Sequence, residues 1–187
     1  MTKRAFDFLV SFASLAVLAI PIALVAIAVK LTSRGPALYW SDRVGRGNAI
    51  FRMPKFRSMR IDTPDVATHL LESPDRWLTP IGRFLRSTSL DELPQLWSIV
   101  AGHMSLVGPR PALHNQHDLI EMRARQGVHV LRPGLTGWAQ VNGRDEIPIT
   151  QKVEYDAYYL QHRSFALDLK ILALTFVKVA RREGVAH

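Results

Sequence analysis

The sequence has no cysteine among its 187 residues, which excludes disulfide bonds and cysteine-ligated zinc. Acidic side chains are in the minority: 16 Asp and Glu stand against 24 Lys and Arg, and the formal charge is +8. Internal repeats, low-complexity tracts and long linkers are also missing from the sequence. The basic excess indicates an anionic partner, which can be nucleic acid, anionic lipid or a phosphorylated substrate.

Charge is absent from one long stretch near the N-terminus, residues 8–29. A helix of that length measures roughly 33 Å at about 1.5 Å per residue, and the hydrocarbon core of a bilayer is about 30 Å thick. A signal peptide would have a shorter apolar region followed by a small-residue cleavage site. The run therefore predicts a membrane segment that stays attached to the chain.

Two topologies are compatible with this segment. Lys3 and Arg4 precede it, and Lys30 and Arg34 follow it. Because cytoplasmic flanks collect Lys and Arg, basic residues on both sides favour a helix that enters and leaves on one face. Pro21 predicts a kink within the run, although transmembrane helices tolerate proline. On these features alone, a single-span anchor and a re-entrant helix are equally favoured.

The remainder predicts an α+β fold that is mainly helical with a small sheet. We divide the chain into a membrane segment at 1–34 and a catalytic domain at 35–187. Gly45 and Gly47 lie between two short apolar stretches, residues 37–40 and 49–53, which predicts a small hairpin. A short strand is predicted at 104–107, and residues 132–137 are expected to form a glycine-rich loop. Helices are predicted after a Thr79 N-cap, from Ser89 to Gly102, and over residues 115–126, 149–162 and 165–182.

The helix predicted at 165–182 carries both apolar and basic residues. Phe165, Leu169, Leu172 and Phe176 follow helical spacing, and lysines and arginines are interspersed. A basic amphipathic helix can lie on an anionic membrane surface. An ordinary helix that faces the core with solvated lysines fits the same pattern nearly as well.

The most informative stretch is SLDELP at 89–94. Ser89 and Glu92 have the spacing of a capping box, which is a purely structural role. The same residues also suit chemistry. Adjacent residues on a helix point about 100° apart, so Asp91 and Glu92 are expected to have separate roles. Asp91 can attack phosphorus and form an acyl phosphate. Glu92, beside Asp91, can hold Mg²⁺ against phosphate oxygens, and we predict this pair as the metal site.

Phosphoryl transfer needs cations around the reacting group. The sequence offers several in short motifs, and arginine suits bidentate contact with phosphate. Any single arginine is usually a solvated surface charge, but the set in rigid or glycine-rich settings predicts substrate binding. The predicted substrate-binding residues are Lys55, Arg57, Arg86, Arg110, Arg132 and Arg144. Prolines on both sides of Arg110 are expected to fix its backbone.

Five motifs in order resemble those of the bacterial sugar transferases. They are KRAFD at 3–7, KFRSM at 55–59, SLDELPQ at 89–95, VGPRP at 107–111, and RPGLTGW at 132–138 with Gly143 and Arg144 after it. More narrowly, the chain resembles a small monotopic polyprenyl-phosphate phosphoglycosyl transferase. The resemblance covers residues 3 to about 182. One departure is that these enzymes often have Ser-Pro at the re-entrant break, whereas Ile20 precedes Pro21 here.

The resemblance implies a re-entrant helix with both ends in the cytoplasm of a bacterium, at the inner membrane. It implies that Asp91 attacks the β-phosphate of a UDP-sugar, that UMP leaves, and that polyprenyl (undecaprenyl) phosphate then takes the phosphosugar. Glu92 and Mg²⁺ would assist. The product would be the first membrane-linked sugar of glycan or glycoprotein assembly.

Other function classes fit the sequence less well. A non-catalytic, membrane-anchored adaptor that binds anionic lipid would explain the charge and the apolar run. A nucleic-acid-binding module is disfavoured because the basic residues are dispersed and a membrane segment is unexpected in it. A many-span glycan phosphotransferase is disfavoured because there is only one long apolar run.

Overall fold

A computed structural model describes residues 3–64, 71–143 and 147–181. The chain begins with two helices, α1 (Lys3–Val17) and α2 (Ala19–Thr32), whose axes are bent by 63°. Within the described residues no single helix has the length and apolarity to cross a membrane, but the bent pair satisfies these criteria together. Helices of 15 and 14 residues measure roughly 22 and 21 Å, which is shorter than a hydrocarbon core of about 30 Å.

The bend lies at Leu18, between the two helices. Pro21 lies three residues later, in the first turn of α2, so the predicted kink is displaced toward the N-terminus. The first turn of a helix accepts proline because the amides there have no partner within the helix. Pro21 therefore begins the second helix and does not interrupt it midway.

The predicted hairpin is confirmed. Strands β1 (Leu38–Val44) and β2 (Ile50–Phe56) pair antiparallel, with Leu38 opposite Phe56 and Val44 opposite Ile50. A 3₁₀ turn, Arg46–Asn48, joins them, and Gly47 in this turn has a positive φ of 66°. Both strands are longer than the sequence predicted because their outward residues are polar or aromatic and do not continue the apolar runs.

Between the hairpin and the next strand, two residues predicted to cap helices, Thr79 and Ser89, do not do so. The 3₁₀ turn Pro74–Trp77 precedes α3 (Gly82–Ser87), and the Thr79 hydroxyl bonds the Ser58 carbonyl and does not cap the helix. Ser89 has a left-handed backbone with φ of 56° and makes no side-chain cap bond, so the capping-box interpretation is wrong. A 3₁₀ turn, Leu90–Glu92, follows it.

The helix predicted to begin at Ser89 begins later, as α4 (Gln95–Ala101), and ends at Gly102 as predicted. Next comes β3 (Ser105–Val107), which confirms the strand predicted there. It pairs in parallel with β4 (Gly134–Thr136), in the segment predicted to be a loop. A Cβ at Gly134 would lie 2.1 Å from the Gly108 amide nitrogen, so this backbone approach requires glycine.

Three of the remaining helices agree with the sequence patterns: α5 (His117–Arg125), α7 (Ile149–His162) and α8 (Phe165–Arg181). The short helix α6 (Trp138–Asn142) and a 3₁₀ turn at Val128–Val130 were not predicted. The predicted mainly helical α+β class is therefore confirmed. Its sheet content within the described residues is two two-stranded sheets, where one small sheet was expected.

Three buried clusters join these elements. The largest includes Ile99, Met104, Tyr159 and Ile171 and joins α4, β3, α7 and α8. A second consists of Val29, Phe56 and Leu85, and it packs α2 against β2 and α3. The third consists of Ala112, Leu119 and Val153, and it joins α5 to α7. Burying each large aliphatic or aromatic side chain contributes about 1.5–3 kcal/mol. The cluster of Val29, Phe56 and Leu85 lies under the end of β2, where Lys55 projects.

Candidate active site

Asp91 and Glu92 lie on the 3₁₀ turn between α3 and α4. The amide of Glu92 donates to the Ser89 carbonyl at 3.2 Å, which closes the turn. The left-handed Ser89 starts it, and such backbone is uncommon for any residue except glycine. Asp91 is 8% exposed, and the side chain of Glu92 is 15% exposed. The turn thus presents two adjacent carboxylates at a largely buried position.

Lys55 and Arg110 both contact the Glu92 carboxylate. The Lys55 ammonium lies 3.0 Å from Glu92 Oε1, and the Arg110 guanidinium lies 3.2 Å from the same oxygen. Lys55 comes from the end of β2, and Arg110 comes from the loop after β3. The fold therefore brings together two cations and a carboxylate that are far apart in the sequence.

The charges around Asp91 act in opposite directions on its pKa. Burial raises the pKa of Asp91 above the ordinary value, and the neighbouring Glu92 carboxylate adds to this. Lys55, Arg86 and Arg110 oppose the rise because they favour the charged form. Three of the predicted substrate-binding cations thus act electrostatically on the predicted nucleophile.

Burial lowers the pKa of Lys55, and the carboxylates of Glu92 and Asp91 oppose that change. Arg110 and Arg43 lower the pKa further by like-charge repulsion. Arg43 was not predicted as a site residue. The strand register could have indicated it, because Tyr39 is opposite Lys55 and Arg43 is opposite Phe51, which places Arg43 and Lys55 on one face of the hairpin.

The structure places the other predicted cations in different surroundings. Arg86 contacts the Met59 sulfur at 3.6 Å and acts on Asp91. Arg57 is buried and donates to the carbonyl groups of Ser33, Arg34 and Pro36 at the end of α2.

Two of the predicted cations remain. Arg132 donates to the Gly102 carbonyl at 3.1 Å, at the C-terminal end of α4. Arg144 lies outside the described residues. Lys55, Arg86 and Arg110 therefore surround the carboxylate pair, whereas the hydrogen bonds of Arg57 and Arg132 join backbone segments elsewhere.

The model of the family described as bacterial sugar transferase matches residues 1–182. The chain belongs to this family.

Individual relatives of this chain have more specific names than the family does. An undecaprenyl-phosphate glucose phosphotransferase of Komagataeibacter xylinus is 42% identical over 188 residues, which is 94% of this chain and 35% of the relative. A UDP-glucose:undecaprenyl-phosphate glucose-1-phosphate transferase of Xanthomonas campestris pv. campestris is 42% identical over 83% of this chain and 34% of its own length. This sugar transferase thus spans about a third of the length of these relatives.

A relative of similar size is also found. The sugar transferase EpsL of Bacillus subtilis is 41% identical over 184 residues, which is 98% of this chain and 89% of the relative. The match covers nearly the full length of both chains, so the residues of the bent helix pair, the hairpin and the Asp91–Glu92 turn lie within it.

The carboxylates of this sugar transferase fit Mg²⁺ in part. Among residues 3–64, 71–143 and 147–181 no group of three or more His, Asp or Glu side chains could hold a metal ion. Mg²⁺ is usually held by one or two carboxylates together with waters and substrate phosphates. Asp91 and Glu92 supply that number of carboxylates, so the donor set suits a magnesium ion that arrives with a phosphorylated substrate.

Proposed function

We propose that the protein is a phosphoglycosyl transferase that moves a phosphosugar from a UDP-sugar to polyprenyl (undecaprenyl) phosphate. The observation that carries the proposal is the adjacent Asp91 and Glu92. Lys55 and Arg110 contact the Glu92 carboxylate, and both of them and Arg86 act electrostatically on Asp91. Relatives at 42% identity are named for a transfer of this class, from UDP-glucose to undecaprenyl phosphate. Such a reaction requires a nucleophile and several cations around a diphosphate, and this site has both.

In the first step a carboxylate oxygen of Asp91 attacks the β-phosphorus of the UDP-sugar. A bond forms between Asp91 and phosphorus, the bond from that phosphorus to the bridging oxygen breaks, and UMP leaves with the electron pair. Lys55, Arg86 and Arg110 stabilise the negative charge on the phosphate oxygens, which is the largest contribution a protein makes to phosphoryl transfer. The product is a phosphosugar bound covalently to Asp91.

In the second step a phosphate oxygen of polyprenyl phosphate attacks the same phosphorus. The new diphosphate bond forms, the bond from phosphorus to Asp91 breaks, and the free carboxylate is restored. Mg²⁺, held by Asp91 and Glu92, would neutralise phosphate charge when it is bound. Contacts with Lys55 and Arg110 fix the orientation of the Glu92 carboxylate.

The N-terminal membrane segment supports a lipid acceptor. We propose that α1 and α2 enter the membrane as a re-entrant helix pair. At one end, Arg4 donates to the Ile99 carbonyl and the Asp7 carboxylate accepts from the Ser105 hydroxyl at 2.7 Å. At the other end, Val29 is fully buried against Phe56. Both ends contact one folded body, which supports the proposal that both lie on the same side of a bilayer.

The apolar surface of the helices agrees with this placement. Residues beside the bend are largely exposed, with Val17 at 79% and Ile20 at 74%. Helix α8 buries Ile171 but exposes Phe165 and Phe176 on other faces, which suits a helix at the membrane surface. The chain would then lie at the bacterial inner membrane, with its catalytic domain on the cytoplasmic side.

The test is UMP release from a panel of UDP-sugars in the presence of undecaprenyl phosphate and Mg²⁺. We expect release with at least one donor and its loss in Asp91→Asn. Asp118→Asn, an exposed aspartate on α5, is the matched control and should keep the wild-type rate. A phosphosugar adduct on the wild-type chain, trapped before acceptor is added, should be absent from Asp91→Asn. Salt-sensitive lipid binding without UMP release would favour the adaptor instead.

A further inference from the structure

The segment that carries Arg110 is held by its carbonyl groups. Pro109 and Pro111 have no N–H, so their carbonyls make all of their backbone hydrogen bonds. Each carbonyl from residue 109 to residue 112 accepts a hydrogen bond, and two of the four donors are guanidinium groups of distant arginines. The donors, in order, are Gly134 N at 2.8 Å, Arg123 Nη1 at 2.8 Å, Arg43 Nη1 at 3.2 Å and Val44 N at 3.0 Å.

Arg123, the donor to the Arg110 carbonyl, is itself fixed by a buried ion pair. It lies on α5, and its Nε and Nη2 donate to Oδ2 of Asp156 on α7 at 2.9 and 2.6 Å. The side chains of Arg123 and Asp156 are 9% and 1% exposed. With two nitrogens on the carboxylate, the planar guanidinium directs Nη1 at the Arg110 carbonyl.

An open pocket lies beside this segment, and its lining includes Pro109, Arg110, Arg123 and His129. Pro109, Pro111 and Ala112 are buried, whereas Arg110 is only partly buried. The bond from Arg123 therefore reaches the carbonyl of the residue in the segment that packing encloses least.

We propose that Arg123, anchored by Asp156, is a positioning residue that holds the backbone of Arg110 so that its guanidinium stays on Glu92. This inference rests on the proposed function. A buried ion pair is a poor source of stability, because apolar side chains of similar size often serve as well. Apolar side chains cannot supply the Nη1 donor to the Arg110 carbonyl. A displacement of 1 Å at a group that positions the reaction can cost about 10²-fold in rate.

A double-mutant cycle in kcat/KM for UMP release tests the proposal. The four proteins are wild type, Arg110→Ala, Arg123→Lys and the double variant. A lysine ammonium keeps a charge beside Asp156 but lacks the planar fork that also reaches the Arg110 carbonyl. We expect Arg123→Lys to lower kcat/KM at least tenfold in the wild-type background and less than twofold in the Arg110→Ala background, because Arg123 acts through Arg110. Equal losses in both backgrounds would overturn the proposal.

Two further measurements cover the remaining outcomes. If Arg110→Ala has no measurable rate, the split of the Arg123→Lys loss between kcat and KM decides, by comparison with Arg110→Lys. Because Arg123 acts through Arg110, both variants should lose in the same parameter, and a loss in the other parameter would overturn the proposal. If Arg123→Lys fails to fold, Arg123→Met combined with Asp156→Leu removes both buried charges together. A folded double variant with wild-type kcat/KM would overturn the proposal.

The matched control lies on the same helix. Arg125 pairs with Glu121 at the surface, where the two side chains are 74% and 64% exposed. Arg125→Lys should leave kcat and KM unchanged. Wild-type protein that releases no UMP from any donor would defeat the proposed function, and that result is distinct from a wild-type rate in the Arg123 variants.

Discussion

Lys55 and Glu92, which are 37 positions apart in the sequence, form a largely buried ion pair of 3.0 Å. Arg110 contacts the same Glu92 oxygen, so the carboxylate has two cationic partners. Burial lowers the pKa of Lys55, whereas the attraction of Glu92 and Asp91 favours its charged form. The pair therefore joins the end of the hairpin to the turn that carries the predicted nucleophile, and it places a positive charge where phosphate oxygens would lie.

Lys55→Met should abolish most of the activity. The variant removes a cation that acts on Asp91 and leaves Glu92 with Arg110. Loss of one group that stabilises developing charge typically lowers the rate by about 10²–10³-fold. The measurement is kcat/KM for UMP release, with Lys152→Met on α7 as the control. A Lys55→Met variant within twofold of wild type would show that this lysine takes no part in the reaction.

The acid limb of activity should lie above the range of an ordinary aspartate. Only the charged carboxylate of Asp91 is a nucleophile, and burial raises its pKa above the usual value of about 3.9. Activity should thus be complete above the raised pKa and fall as the pH drops through it. Lys55→Met should move the limb further toward neutral pH, since Lys55 favours the charged form. The readout is kcat/KM against pH at constant Mg²⁺. A limb in the range of an exposed aspartate would contradict the prediction.

Much of this site follows from the sequence, and the rest depends on contacts between distant residues. Local signals sufficed for the hairpin, where glycines separate two short apolar runs, and for α7, whose predicted bounds match the structure. The strand β4 was not predicted, because its glycines indicated a loop and its pairing with β3 is non-local. The capping box failed at Ser89 because the chain turns there in a left-handed conformation that spacing does not encode.

The predicted cations also differ in how much of their setting the sequence could predict. Lys55, Arg86 and Arg110 act electrostatically on Asp91, and their binding of substrate stays a prediction. Arg57 has the same residue type within a similar motif, but its partners are the carbonyl groups at the end of α2. Residue type and spacing identify arginines that lie in rigid or glycine-rich motifs. Only the fold determines whether the partner is a carboxylate in the site or a backbone carbonyl.

Asp91→Asn should be more stable than wild type at neutral pH although it is inactive. Because burial raises the pKa of Asp91 in the folded chain, the folded state binds a proton there more tightly than the unfolded state does. Stability from this group is greatest below the unfolded pKa of about 3.9 and is lost as the pH rises through the raised folded pKa. Asparagine removes that cost at neutral pH.

The check is the melting temperature of both proteins, in the same detergent, at several pH values. The advantage of Asp91→Asn should be present at pH 8 and should shrink as the pH falls toward the acid range. Asp118→Asn serves as the control, because the exposed side chain on α5 carries no comparable desolvation cost. A lower melting temperature for Asp91→Asn at pH 8 would mean that attraction from the surrounding cations outweighs the cost of burial.

Arg57→Met should destabilise the junction between the membrane helices and the rest of the chain. Arg57 is 5% exposed, and its guanidinium donates to the carbonyls of Ser33, Arg34 and Pro36 at distances from 2.5 to 3.1 Å. Leaving buried acceptors without donors costs about 1–3 kcal/mol. For a chain of this size that corresponds to a fall in melting temperature of roughly 2–12 °C.

The same variant separates a structural role from the substrate-binding role that the motif predicted. If Arg57 holds the junction, Arg57→Met should lose melting temperature while the KM for the UDP-sugar stays within twofold of wild type. Arg60→Met, which removes an exposed arginine paired with Asp62, is the control for losing one positive charge near the same strand. A tenfold rise in KM with an unchanged melting temperature would instead place Arg57 on the substrate, because a contact with the donor phosphates would be lost without any loss of stability.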